Sequence, residues 1–352
     1  MAVQAADVVF ENVSKAFGKF TAVDNVSFKV EAGTLVTLLG PSGCGKTTTL
    51  RMVAGLDSAT SGRVLIGGKD VTRLAASERD VSMVFQSYAL FPHLNVIDNV
   101  AYGLQAGGTP KAQAHAQARE KLALVGLADL ELRLPSELSG GQQQRVAVAR
   151  ALVLEPQVLL FDEPLSNLDA KLRRKVRDDI RSLQQSLGLT VIYVTHDQSE
   201  ALAVSDRVIV MSNARIAQIG SPRELYERPV DRFLADFIGD ANLITGEVLQ
   251  QGGEQVFRAG GLRLPLPAGN PIGPALFAVR PQRLHLHRVA PTTPSIPGTL
   301  LKTAYLGTHL EHNVQTEFGD MLVMDTDVDR ELPLNAPVWV GLDARAGAVV
   351  RA

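Results

Sequence analysis

The period of apolar and polar positions changes along the chain, and each change marks an element. Residues 8–30 alternate in strand fashion, with Phe17-Gly18 on a loop in their midst. Leu35, Val36, Leu38 and Leu39 make a continuous apolar run of buried-strand length, and a helix follows from Lys46 to about Gly55. Residues 63–66, between Ser61-Gly62 and Gly67-Gly68, read as a short strand, and 81–85 as another that ends at Gln86. An aromatic-rich stretch interrupted by Pro92 covers 87–94. Residues 98–127 read as helical with a break at Gly107-Gly108-Thr109-Pro110, and the charges of 111–124 as a solvated face. Strands of buried type fall at 158–161 and 190–195. Between them runs an amphipathic helix, about 169–187, with a stripe of Leu172, Val176, Ile180, Leu183 and Leu187 and a terminal Gly188. A hairpin closes around Asn213, and short helices near 222–228 and 231–238 stop at Gly239.

The pattern then changes. A boundary is expected near 240–246, and the remainder is short alternating segments separated by Gly and Pro: 246–249, 262–264, 275–279, 284–286, 321–324 and 338–340. That is the signature of a small all-β domain or two tiny barrels. His285 and His287 share one face of such a strand. Without a third ligand at suitable spacing they read as surface residues.

Composition narrows the class. A chain of 352 residues with 45% apolar and 20% charged residues has room for two or three domains and is not disordered. A net charge of −2 argues against a general nucleic-acid binder. The lone cysteine, Cys44, excludes an intrachain disulfide and a cysteine-based zinc site, and suits a reducing cytoplasm. The amino terminus lacks the basic and apolar regions of a signal peptide, and no run approaches 18 uninterrupted apolar residues. A membrane role is therefore expected to come through a partner.

Three stretches carry chemistry. Gly40-Pro41-Ser42-Gly43-Cys44-Gly45-Lys46-Thr47 fits G-x-x-x-x-G-K-[ST] directly after a strand. Its glycines let successive N–H groups point at phosphate, Lys46 brings a positive charge to the β and γ phosphates, and Thr47 offers a hydroxyl to Mg²⁺. Val158-Leu159-Leu160-Phe161 runs into Asp162-Glu163-Pro164, which places carboxylates at a strand end. Asp162 can hold Mg²⁺, and Glu163 can orient or deprotonate an attacking water. Leu138-Ser139-Gly140-Gly141-Gln142 opens a helix with an N-cap serine, a second anion-receiving helix end. Its two glycines leave room for another group to approach. His196 ends a buried strand, where it reads either as a γ-phosphate contact or as a hydrogen-bonded structural residue. Phe17 reads as a packing residue or, if exposed, as a platform for a purine. Cys44, beside a helix N-terminus, is expected to favour thiolate, so that its alkylation inhibits and Mg-ATP protects.

Taken in order, the 40–47 loop, Gln86, the 138–142 pentapeptide, 158–163 and His196 resemble the ATP-binding cassette (ABC) ATPases over roughly residues 5–238. The resemblance implies a P-loop α/β cassette with a parallel-sheet core, an antiparallel β subdomain and a helical subdomain at about 87–152. It implies a base-stacking Phe17, and a nucleotide cradle of Gly40, Pro41, Ser42, Gly43, Cys44, Gly45, Lys46, Thr47 and Thr48. Ser139, Gly140, Gly141 and Gln142 are then the signature that closes on the ATP of a partner subunit. Thr47, Gln86 and Asp162 are implied around Mg²⁺, with Glu163 as catalytic base assisted by His196, Gln86 and Lys46. Asp169 ends the D-loop, which reads Ser-Asn-Leu-Asp where Ser-Ala-Leu-Asp is commoner.

Residues 241–352 are similar to the OB-type domain of importer ATPases of the maltose, polyamine, ferric-iron and sulfate kind, through Phe237 to Asn242 and Ala278-Val279-Arg280-Pro281-Gln282. Residues 87–92 resemble the segment where a membrane permease docks, although Tyr88 and Phe91 read equally well as local packing. The function implied is an ATPase homodimer on the cytoplasmic face of the cell membrane. It would be peripheral, bound to integral permease subunits, served by a periplasmic or lipid-anchored solute-binding protein, and free of nucleic acid. Polyamine is the first expectation for the solute and ferric iron the second, with sulfate or sugar behind them. A non-transport ABC ATPase is the alternative, but the chain has neither a second cassette nor a long coiled-coil insertion.

Overall fold

The computed structural model describes residues 5–342 and 347–351. Residues 1–4 of the terminus read above for a leader lie outside them. The chain divides into two compact units, Met1–Pro222 and Arg223–Ala352.

The centre of the first unit is a six-stranded sheet in the order Arg215–Gly220, Arg207–Ser212, Leu35–Leu39, Thr190–Thr195, Val158–Asp162, Val81–Val84. All neighbours are parallel except the terminal hairpin, which turns through Asn213 and Ala214 at positive φ. Leu35–Leu39 and Thr190–Thr195 are buried at every position, as strands covered on both faces must be. One face meets the helix Lys46–Ala54 and an antiparallel sheet built on Val8–Phe17, Phe20–Val30 and Ser61–Ile66. The other meets the helices Gly140–Leu152 and Ala170–Leu187.

The helix Ala170–Leu187 starts where the apolar stripe predicts. The Asp169 carboxylate accepts from the N–H groups of Lys171 and Leu172, and Gly188 closes the other end at φ 62°. Val96–Ala106, Lys111–Leu124 and Gly140–Leu152 form a helical layer with its own core of Val100, Ala114, Ala118, Leu122 and Val146. The buried stripe of Ala114, Ala118 and Leu122 lets Lys111–Leu124 pack closely while its remaining face is largely polar. These are the parallel core, antiparallel subdomain and helical subdomain expected of the cassette.

The second unit carries two antiparallel five-stranded sheets around a single core that includes Phe257, Phe277, Leu300, Val314 and Val340. The two sheets thus form one β body and not two barrels. The unit division falls at 222/223, whereas the sequence pattern changes at 240/241. The helices Pro222–Glu227 and Arg232–Phe237 account for the difference. Arg280 explains why they group with the β-rich unit: it donates to the carbonyls of Tyr226 and Ala235, at 2.9 and 2.7 Å, and to that of Gly239. His285 and His287 lie on the outward side of their strand, alternating with buried Leu284 and Leu286.

Candidate functional site

Parallel register brings the chemistry to one edge. Leu39 pairs with Thr195 and Val210, Val194 with Asp162, and Phe161 with Val84. The residues that follow, Gly40, His196, Glu163 and Gln86, therefore emerge together at the carboxyl ends of the strands, where α/β sheets bind ligands.

Gly40 opens a loop that curls around an ammonium group. Lys46 is buried, and its Nζ donates to the carbonyls of Gly40 and Pro41 at 2.7 and 2.8 Å. Gly45 is one of the positions where only glycine serves. Its φ is 102°, and a Cβ would lie 2.4 Å from the Ala22 carbonyl oxygen. Strand Phe20–Val30 thus packs directly on the loop. Phe17 pairs with Phe20 at the hairpin end of that strand, 48% exposed, with Lys15 Nζ 4.6 Å from its ring centroid. An exposed aromatic at a hairpin end is not a core residue.

Thr47 Oγ1 donates to Asp162 Oδ1 at 3.2 Å. Burial raises the Asp162 pKa, against the pull of the Thr47 hydrogen bond, and the neighbouring Glu163 charge adds to the rise. Two hard oxygen donors side by side, one a desolvated carboxylate in need of positive charge, suit Mg²⁺. Cys44 corrects an expectation. Its thiol is buried, and desolvation pushes its pKa up despite the nearby Lys46. The helix end does not make it a thiolate.

Glu163 sits at φ 45°, strained for a non-glycine residue, and its Oε2 lies 3.0 Å from His196 Nδ1. Since a carboxylate only accepts, Nδ1 carries the hydrogen. Gln86 is gripped by the next loop. Its Nε2 donates to Ser166 Oγ at 3.1 Å, Asn167 Nδ2 donates to the Gln86 carbonyl at 3.1 Å, and Ser166 Oγ donates to the Glu163 carbonyl at 3.1 Å. Asn167, the departure from the commoner D-loop, is therefore a tie between two loops. Arg173 extends this network by donating to the Leu168 carbonyl at 3.0 Å and pairing with Asp197 at 3.6 Å. Sequence reasoning placed Ser166 in the D-loop but missed its bonds to Gln86 and Glu163, and it missed Arg173. The only signal was two polar residues set between buried Leu165 and Leu168.

Ser139 caps the helix Gly140–Leu152, with its N–H donating to Gln142 Oε1 at 2.8 Å. Gln143 Nε2 anchors the turn on the carbonyls of Pro135 and Leu138. The second glycine does a job within the chain: a Cβ on Gly141 would lie 2.8 Å from Leu172 Cδ1. Among the described residues no hydrogen bond joins 139–142 to the 40–47 loop. The fold thus builds two separate helix N-termini, one with a lysine beside it and one without.

Comparison with known proteins places this architecture. The chain matches the family model described as ABC transporter over residues 23–166 and that described as TOBE domain over 277–350. It belongs to the ABC transporter family, in the branch of import ATP-binding subunits that end in a TOBE domain. It is 58% identical over 351 residues, 99% of each chain, to the Fe(3+) ions import ATP-binding protein FbpC of Brucella abortus (strain 2308). It is 59% identical over 347 residues, 98% of each chain, to the protein of the same name from Rhizobium etli. The spermidine/putrescine import ATP-binding protein PotA of Rubrobacter xylanophilus is 46% identical over 348 residues, covering 96% of this chain and 92% of that protein.

Proposed function

We propose that the chain is the ATP-hydrolysing subunit of an importer for ferric iron, working as a head-to-tail homodimer beneath two permease subunits. The observation that carries the ATPase reading is the alignment of Gly40, Gln86, Glu163 and His196 along one sheet edge. The relatives' names reverse the order of solutes expected from the sequence, putting iron ahead of polyamine. A solute-binding protein on the far side delivers the iron, and the ATPase lies on the cytoplasmic face. No helix among the described residues is long and apolar enough to cross a membrane. The cassette is residues 1–240, with its helical subdomain at about 87–152, and 241–352 is the OB-like domain.

Each group has one task. The N–H groups of the 40–47 loop and the following Thr48 cradle the phosphates, with Lys46 bringing its ammonium to the β and γ phosphates. Phe17 stacks on the adenine. Thr47, Asp162 and Gln86 hold Mg²⁺, which supplies charge neutralisation on the triphosphate when bound. Glu163 takes the proton of the attacking water, and His196 steadies that carboxylate and the γ-phosphate. Water attacks the γ-phosphorus, the bond to the β–γ bridging oxygen breaks, and ADP and phosphate leave. Ser139, Gly140, Gly141 and Gln142 of the partner subunit close the other side, so ATP joins the pair and its loss releases it.

The test is reconstitution of the chain with the permease subunits of a ferric-iron importer, in vesicles supplied with ATP. Uptake of ferric iron that requires ATP and the matching solute-binding protein is expected. ATP-driven uptake of spermidine in place of iron would reassign the solute, and absence of ATPase activity would remove the reading.

A further inference from the structure

The loop 88–94 has a backbone its own sequence does not favour. Tyr88 and Ala89 are consecutive non-glycine residues at φ 61° and 49°, a conformation that persists only when its surroundings impose it. Two side chains impose it, and both come from the helical layer. Arg150 lies in the last turn of Gly140–Leu152. Its guanidinium donates to the Ala89 carbonyl at 2.7 Å and to the Tyr88 carbonyl at 2.9 Å, and lies 5.8 Å from the Phe91 ring centroid. Asn99, wholly buried in Val96–Ala106, accepts the Phe91 N–H at 2.8 Å and donates to the carbonyls of Phe91 and Leu94 at 3.1 and 2.9 Å. The Phe91 ring tilts against Tyr102 of the same helix, with centroids 4.5 Å apart.

Just before this loop the loyalties differ. Gln86 is bonded to Ser166 and Asn167 at the edge of the parallel sheet. The segment therefore divides at Ser87: Gln86 belongs with the reacting groups, and 88–94 belongs with the helices. Arg150 and Ser139 stand at opposite ends of one helix, roughly 17 Å apart at the helical rise per residue. A helix of that length moves as a rod. A guanidinium fork that grips two adjacent carbonyls fixes orientation as well as distance, which a single ammonium does not.

We infer that Arg150 is a positioning residue that locks the loop 88–94 to the helix headed by Ser139, so that movement at the nucleotide end of the helix displaces the permease-docking loop at the other. This rests on the readings of Ser139 as a nucleotide contact and of residues 87–92 as the permease-docking segment.

Amide hydrogen exchange on the full chain tests it, in a Glu163→Gln background that retains ATP, with and without Mg-ATP. In the parent, ATP slows exchange in both 139–149 and 88–94. With Arg150→Lys, ATP slows 139–149 as before, while its effect on 88–94 shrinks by about tenfold. A merely structural role would speed exchange of 88–94 equally in both nucleotide states and leave the ATP-dependent ratio unchanged. An unchanged ratio overturns the inference. Absence of any ATP effect on 139–149 in the parent instead overturns the nucleotide reading of Ser139, and the inference falls with it. Should Arg150→Lys not fold, as judged by fast exchange in Val158–Asp162, Arg150→Gln offers a single neutral donor and carries the same expectation.

Discussion

His196 Nδ1 lies 3.0 Å from Glu163 Oε2, across two neighbouring strands whose ends are in register. The carboxylate is held at a left-handed backbone position and pointed at an imidazole. Replacing Glu163 with Gln preserves the shape and removes the proton acceptor. Glu163→Gln is expected to bind ATP normally, to accumulate a dimer visible by gel filtration, and to lose hydrolysis by about 100-fold or more. Hydrolysis at the parent rate would take the role of base from Glu163.

Ser139 occupies the helix end that has no lysine of its own. Ser139→Arg puts bulk and charge where a partner's nucleotide must dock. ATP affinity of the monomer, measured by fluorescent-nucleotide titration, should stay within about twofold, while turnover falls by about 100-fold. Lost nucleotide binding by the monomer would place Ser139 in its own chain's pocket.

Cys44 separates two readings of the phosphate loop. Proximity to a helix N-terminus suggests a reactive thiolate, but burial keeps the thiol protonated. Iodoacetamide at neutral pH is therefore expected to label Cys44 about tenfold or more slowly than a free cysteine, with or without Mg-ATP. Rapid labelling that ATP blocks would restore the thiolate.

Much of the site was legible because P-loop chemistry is local. The glycines, Lys46 and Thr47 must be contiguous, and Asp162-Glu163 must end a strand, so both appear as short strings. The partners that hold Gln86 were not legible. Ser166 and Asn167 lie about 80 residues further on and meet it only because two parallel strands share an edge. Gly141 has a use the sequence did not show, since the absence of a side chain there also makes room for Leu172 of the same chain. In the second unit the alternation revealed strands such as 262–264 and 338–340, but Ser295–Tyr305 escaped. Its exposed Lys302 and Thr303 and the register shift between Leu300 and Lys302 break the period.

His312, unremarked in the sequence, is a pH liability in that unit. It is fully buried, with Nδ1 2.9 Å from Thr303 Oγ1 and Nε2 without a hydrogen-bond partner. Burial lowers its pKa, outweighing the attraction of Asp325, and Arg330 pushes the same way as burial. The unfolded chain thus binds a proton at a pH where the folded chain refuses it. Stability is full above about pH 6.5 and falls as pH drops through that value, by at most about 1.4 kcal/mol per unit. Urea midpoints of the full chain should fall between roughly pH 7.5 and 5.5, and His312→Phe should flatten that dependence. An identical slope in the variant would clear His312.

The central claim is that each ATP is clasped by the Lys46 loop of one chain and the Ser139 turn of another. Differently tagged chains, both carrying Glu163→Gln, one also Lys46→Ala and the other Ser139→Arg, can be purified as mixed pairs and their retained ATP counted. Shared pockets leave one intact site, built from the second chain's Lys46 and the first chain's Ser139, so one ATP per mixed pair is expected to survive gel filtration. Ser139→Arg chains alone bind ATP only reversibly and lose it on the column, and Lys46→Ala chains alone do not hold it. No retained ATP in the mixed pair would contradict the account.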